Sequence, residues 1–421
     1  MKLLNKTNLS TEGKLVFKNF SFFSVLRAFN ILSQYLLVSY LIRTLGTETY
    51  GVFVWGFSII QYLIIVINFG FNTYAAKYIA ENKDDPLELN SIFSAILVIK
   101  LSLFVISVIA FIAIIYSVGM FDSNRSLFLI LLGFVLGEVL FPIWFFQGKE
   151  KLDIPTKIVF SFKLLLIALT FLLITGPDDL LRYALLLSGS QLLIGVTGFY
   201  IALNKLNISL VKTTSTFIWK KLKEGFMFFI GTLCSRSFNL AVIFLAGIWF
   251  TMEDAASFDI SFKIIAAFQL PFETLSMVLF PTISRTKDLK MNERIIFRAC
   301  AFSLLLWGFT FWQSDLLLMI MGGKELLIYS SLLKDLSVLI PIVVITYFLG
   351  TNTLVAFGYQ REFNLSIIIP TVLYILTLIC LWILDMISIQ AVIYARIMVD
   401  LLVMVIRLII AYKNKLIFSS R

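Results

Sequence analysis

The chain has 421 residues, 60% of them apolar and only 14% charged, with a formal net charge of +10; a soluble domain usually carries about half apolar and about a quarter charged residues, so the composition excludes a soluble fold. It has no histidine, so the commonest metal ligand and neutral-pH proton carrier is missing. Its three cysteines, Cys234, Cys300 and Cys380, lie far apart in apolar segments, which argues against a zinc site or a disulfide framework.

Apolar blocks of about twenty residues have the length that crosses a hydrocarbon core. They predict an all-α polytopic membrane protein with spans at 20–43, 50–70, 91–117, 127–146, 158–175, 183–203, 225–250, 256–283, 297–321, 336–357, 363–384 and 389–412. With twelve spans both tails share one side of the membrane. That side holds 23 Lys and Arg, and the other holds five: Arg43, Arg125, Arg182, Lys324 and Lys334. The positive-inside rule makes the richer side cytoplasmic. The basic balance therefore reports topology and gives no reason to invoke nucleic acid. The first span reads as a retained helix rather than a cleaved leader, because no small-residue cleavage site follows it.

The long inner loop at 204–224 divides the chain into an N-terminal six-helix lobe (1–203) and a C-terminal six-helix lobe (225–412), with a cytoplasmic tail at 413–421. The lobes open alike. Arg27-Ala28-Phe29-Asn30 in the first span matches Arg236-Ser237-Phe238-Asn239 in the seventh, and Phe57-Ser58-Ile59-Ile60 matches Phe262-Lys263-Ile264-Ile265. An even number of spans per half makes these parallel repeats, the arrangement in which transporters bind substrate near mid-membrane at the repeat interface.

Seven basic residues fall inside the spans: Arg27, Lys100, Lys163, Arg236, Lys263, Arg396 and Arg407. Each costs roughly 2.5–3.5 kcal/mol at the bilayer centre on insertion scales. Lys163 and Arg407 are near cytoplasmic ends and are expected to snorkel. Arg27, Lys100, Arg236, Lys263 and Arg396 are deeper, and intramembrane ionisable residues usually face a bundle interior or an aqueous cavity. Asp259 precedes Lys263 by four residues and Arg396 precedes Asp400 by four, so each couple shares a helix face. Two readings stay open: self-neutralising pairs that ease insertion, or carboxylates that couple to an ion or proton. Glu138 and Glu273, near Pro142 and Pro271, either bond to a broken helix or titrate. Arg27, Lys100 and Arg236 have no acid three or four positions away, which suggests a cationic cavity for an anionic substrate. A phosphate suits arginine's planar fork.

Enzymatic signatures are missing. The chain has no Gly-x-x-x-x-Gly-Lys loop, no Gly-x-Ser-x-Gly elbow and no histidine to activate a nucleophile,. The remaining reading is a carrier or flippase, not an enzyme, and no cofactor is expected.

Three stretches carry a resemblance: Arg43-Thr-Leu-Gly46-Thr-Glu48-Thr-Tyr50-Gly51; Phe69-Gly70-Phe71-Asn72 through Ala76 to Ile79-Ala80-Glu81-Asn82; and Trp144-Phe-Phe-Gln147-Gly148-Lys-Glu150. The chain resembles the Wzx-type polysaccharide (O-antigen repeat-unit) flippases of the multidrug/oligosaccharidyl-lipid/polysaccharide exporter superfamily. The likeness covers essentially the whole chain, although its motifs concentrate in the first half. It implies that an undecaprenyl-diphosphate-linked oligosaccharide crosses the bacterial inner membrane by alternating access through a cationic cavity, while the lipid tail stays in the bilayer. Arg236 and Arg27 would receive the diphosphate, with Lys100, Lys263 and Arg396 beside them. The resemblance also implies coupling to a proton or sodium gradient through Asp259, Asp400 or Glu138. Membrane lipids and the polymerase and chain-length regulator of the same pathway are the implied partners.

The nearest rival, a multidrug/cation antiporter of the same superfamily, should offer an acidic cavity, whereas here the first helix of each half carries arginine. A membrane polymerase of the same pathway needs a large external loop, and the outer loops are short. A scaffolding protein leaves the buried basic residues unexplained. The fourteen-span lipid II flippases have two more terminal spans.

Overall fold

The computed structural model describes residues 33–418, and among them every element is helical. Residues 33–45 form α1. The chain continues through α2 (Thr47–Asn68), α3 (Phe71–Glu81), α4 (Pro86–Ser117), α5 (Arg125–Leu140), α6 (Ile143–Gly148), α7 (Asp153–Leu173) and α8 (Leu180–Asn204). Then come α9 (Ser215–Trp249), α10 (Met252–Thr286), α11 (Leu289–Trp312), α12 (Ser314–Gly322), α13 (Ser330–Leu336) and α14 (Leu339–Tyr347). A π-helical segment at Phe348–Val355 follows, then α15 (Gln360–Ile383) and α16 (Ile389–Lys413).

The helix starts are written in polar caps. Asp85 accepts from the backbone N–H of Leu87 and Glu88, with Pro86 in the first turn, where its missing N–H is not needed. Thr251 and Asp254 form a reciprocal capping box at α10,. Asp288 caps α11 through Met291 N–H, and Ser388 caps α16 through Ala391 N–H.

Among the described residues nine helices are long and apolar enough to cross a membrane, and ten if one bent pair counts as a single span. Residues 33–45 and the 25-residue α16 lie at the first and last expected spans. Large apolar side chains stand exposed along these helices, among them Leu172, Phe297 and Leu305 at 70% or more. Exposed apolar surface on this scale marks a contact surface, and hydrocarbon supplies it.

Several expected spans are interrupted. The second passes through a break at Phe69–Gly70, where Gly70 is left-handed, and continues as α3. The fourth is broken at Phe141–Pro142. The ninth ends at Trp312, because Asp288 starts α11 early enough to supply 24 residues by then; α12 is a separate short helix. The tenth is bent by 44° between Leu336 and Leu339 and finishes in the π segment.

The chain forms two units. One comprises the described residues to Leu45 with Ile59–Thr232; the other comprises Gly46–Ser58 with Leu233 onward. The first is centred on a buried cluster that includes Phe71, Ile79, Phe93, Trp144 and Phe145. In the second, α14 and the π segment pack against α10, α11 and α16, with Phe272, Val344 and Phe348 buried between them.

Candidate functional site

Among the described residues, charged side chains inside the spans gather in three places, one in the first unit and two in the second. In the first unit Lys100, on α4, is 2% exposed. Its Nζ donates to the backbone carbonyl of Glu138 at 2.9 Å. That carbonyl lies four residues before Pro142, which has no N–H to return to it. The ammonium therefore stands in for the helix bond that the proline removes. The Glu138 carboxylate accepts from Gln191 Nε2, on α8, at 2.8 Å. At the break it is the main chain of Glu138, and not its carboxylate, that takes the lysine.

In the second unit Asp259 and Lys263 form an ion pair along α10. A third partner arrives from 209 residues earlier: the buried Tyr50 hydroxyl donates to Asp259 Oδ2 at 2.6 Å. Lys263 Nζ also donates to the Tyr50 oxygen at 3.2 Å. Tyr50 belongs to the first of the three sequence stretches, so that stretch anchors the start of α2 to a charged pair. The other two stretches meet each other in the first unit. A Cβ on Gly148 would stand 2.6 Å from the Cβ of Ile79, so glycine lets α6 lie directly on α3.

The third cluster lies along α16. Arg396 pairs with Asp400, and its Nε and Nη2 reach Asn239 Oδ1 at 3.1 and 2.8 Å. The rings of Phe238 and Phe262 flank the guanidinium at 5.4 and 5.8 Å. Asn239 and Phe238 come from the Arg-x-Phe-Asn repeat of α9, and they are the residues of that repeat that touch Arg396.

Arg396, Asp400, Val403 and Arg407 share one face of α16, at the four- and three-residue spacing of a helix, and all line a cavity of about 320 Å³ within the second unit. Asn239, Gln269 and Thr351 also line it. Arg407 corrects an expectation. It does not snorkel: it is 6% exposed, with Nε donating to Ser366 Oγ at 2.9 Å and Nη1 to the Thr346 carbonyl at 2.7 Å. Phe363 covers one face of its guanidinium at 4.5 Å. These partners come from α14 and α15, far off in sequence, so hydropathy alone leaves Arg407 as a tail-end cation.

Arg236 is exposed on α9 and is not among the residues that line the cavity. Arg27 lies outside the described residues. The structure thus brings Arg396 together with Asp400, and Lys263 with Asp259, and keeps Lys100 with Glu138 in a separate unit.

One cluster has no counterpart in the sequence reading beyond a count of positive charge. Lys221, in the first turns of α9, is 1% exposed. Its Nζ sits 3.7 Å from the centre of the Tyr78 ring and bonds to Tyr74 OH at 3.1 Å and Glu224 Oε2 at 3.2 Å. This lysine is part of the packing between α9 and α3. Among the described residues no group of three or more acidic or cysteine side chains is placed to hold a metal ion.

A family model described as polysaccharide biosynthesis protein matches residues 16–287. Two similar proteins are both named "Putative O-antigen transporter". One, from Escherichia coli (strain K12), is 26% identical over 288 residues, covering 68% of this chain and 69% of its own. The other, from Shigella dysenteriae, is 21% identical over 369 residues, covering 85% and 91%. Among solved structures, an inward-facing multidrug resistance MATE family transporter of the MOP superfamily superposes with a TM-score of 0.71. It is 13% identical, with 90% of this chain and 93% of that one covered. A likeness at that identity speaks for the fold.

Proposed function

We infer a transport function from one premise: this chain belongs to the polysaccharide biosynthesis protein family. Its helical architecture is that of MOP-superfamily transporters, and the relatives carry the name of O-antigen transporters over most of this chain. The protein is a multi-pass polysaccharide exporter of the flippase type. In our reading the cargo is an undecaprenyl-diphosphate-linked oligosaccharide repeat unit. It is carried across the bacterial inner membrane by alternating access, with both termini in the cytoplasm. The unit is then handed to the polymerase and chain-length regulator of the same pathway.

The observation that carries the site assignment is Arg236. Lys263 and Arg396 are already paired to carboxylates, and Lys100 is spent on a backbone carbonyl. Arg236 is exposed and bonds to no other described residue, so its guanidinium is available to the two negative charges of a diphosphate ester. A bidentate fork on phosphate is the geometry that distinguishes arginine from lysine. Arg27, at the matching position of the repeat, is its proposed companion. Asp259, Asp400 and Glu138 are the proposed coupling carboxylates for a proton or sodium gradient.

The test is export in cells whose own flippase gene is deleted. Arg236→Ala should abolish surface polysaccharide while the protein keeps its level in the membrane. Arg236→Lys should restore export only in part if the fork matters. Normal surface polysaccharide in Arg236→Ala would overturn the assignment.

A further inference from the structure

The cavity beside α16 has a charge imbalance. Its walls carry two guanidinium groups, Arg396 and Arg407, and one carboxylate, Asp400; among the described residues no other charged side chain lines it. Asp400 is bonded to Arg396, whose other hydrogen bonds go to Asn239. Arg407 has no carboxylate bridged to it among the described residues. Its printed partners are neutral, one hydroxyl and one carbonyl. They take two of the five N–H groups of a guanidinium and leave three without an acceptor. A buried cation without a counter-charge is strongly disfavoured.

The surroundings hold that cation in place. Phe363 covers one face, and a Cβ at Gly350 would stand 2.4 Å from Arg407 Nη1 and 2.8 Å from Phe363 Cε2. Any larger residue at that position of the π segment would push the guanidinium or the Phe363 ring aside. Single-turn π insertions occur frequently at functional sites. The volume, about 320 Å³, is roughly ten times the ~30 Å³ share of one water. It reaches the lower range of ligand pockets, about 300–1,000 Å³.

We propose that this cavity is an oxyanion site, in which Arg407 takes a phosphate- or carboxylate-sized group by its free guanidinium edge and Thr351 and Gln269 line the space around it. The site lies wholly within the second unit and is separate from the diphosphate role given to Arg236. Two sources offer the same chemistry: a free inorganic anion, or an acidic group on the saccharide cargo. The second source rests on the transport reading above, and the first does not.

The experiment uses the full-length protein purified in detergent at fixed sodium chloride. Inorganic phosphate, glucuronate and glucose are titrated separately by calorimetry. Saturable binding of phosphate is expected, weakened at least tenfold in Arg407→Gln. Gly350→Ala keeps the charge but displaces the guanidinium, and should weaken binding in the same direction. Binding of glucuronate with the same dependence on Arg407 identifies an acidic sugar as an occupant. Binding of phosphate alone supports the inorganic source. Failure of both anions to bind the wild-type protein overturns the proposal, as does binding that both variants leave unchanged. None of these readouts requires export, so failure of the transport reading would not be mistaken for failure of the site.

Discussion

Lys100 in the first unit and Arg407 in the second are both cations enclosed within apolar helices, and neither is bridged to a carboxylate among the described residues. Their settings differ. Lys100 is closed in by packing, and its charge goes to a carbonyl that Pro142 leaves vacant. Arg407 faces an open volume with most of its donors unused. In sequence the two look alike, since neither has an acid three or four positions away on the helix face used here. What separates them is whether the neighbouring backbone has an unmet acceptor or a gap. A buried cation is thus evidence of a site only after its local backbone requirements have been counted.

That contrast can be broken. The largest effect is expected at Asp400. Asp400→Ala leaves Arg396 and Arg407 with no carboxylate in the cavity, and removing one partner of a buried pair costs about 3–5 kcal/mol. A sharp loss of melting temperature in detergent is the readout. Adding Arg396→Met should recover much of it; no recovery would mean that Asp400 serves Arg407 instead.

The next effect tests the other side of the comparison. Lys100→Met removes the charge and leaves the Glu138 carbonyl unsatisfied, at about 1–3 kcal/mol. Pro142→Ala returns an N–H to that carbonyl. The double variant should therefore lose less than the sum of the two single variants. Strict additivity would show that Lys100 does something other than complete the α5–α6 break.

Tyr50→Phe should cost about 1.5 kcal/mol, the lower end for a hydrogen bond to a charged group, read as a shift in the denaturation midpoint. At the small end, Arg236→Ala should change stability by no more than about 0.5 kcal/mol, as exposed substitutions do, while abolishing export. A large stability loss there would place Arg236 with Lys100 as a structural cation.

Much of the fold was legible in hydropathy, because spans of apolar residues need no knowledge of their neighbours. The two acid-base couples on α10 and α16 were legible as well, since a four-residue interval fixes a shared face. Their third partners were not. Tyr50 and Asn239 reach Asp259 and Arg396 across 209 and 157 residues, and no local pattern encodes such a meeting. Pro142 announced a break, but the lysine that completes it sits on another helix. The 44° bend near Ser337 has its signal in Pro341, which lies four residues on and has no N–H to return to the Ser337 carbonyl. Arg407 read in sequence only as a cation near a cytoplasmic end, and its neighbours on α14 and α15 hold it inside.

The distance along the chain between Lys100 and its acceptor also sets an order of events during synthesis. Asp259 with Lys263, and Arg396 with Asp400, are made within one turn and enter the membrane already neutralised. Lys100 must wait for a carbonyl 38 residues further on. At about 5–20 residues per second the wait is roughly two to eight seconds. A lone α4 would hold an unmatched ammonium in hydrocarbon for that time, so α4 and α5 are expected to leave the insertion machinery together, as a hairpin.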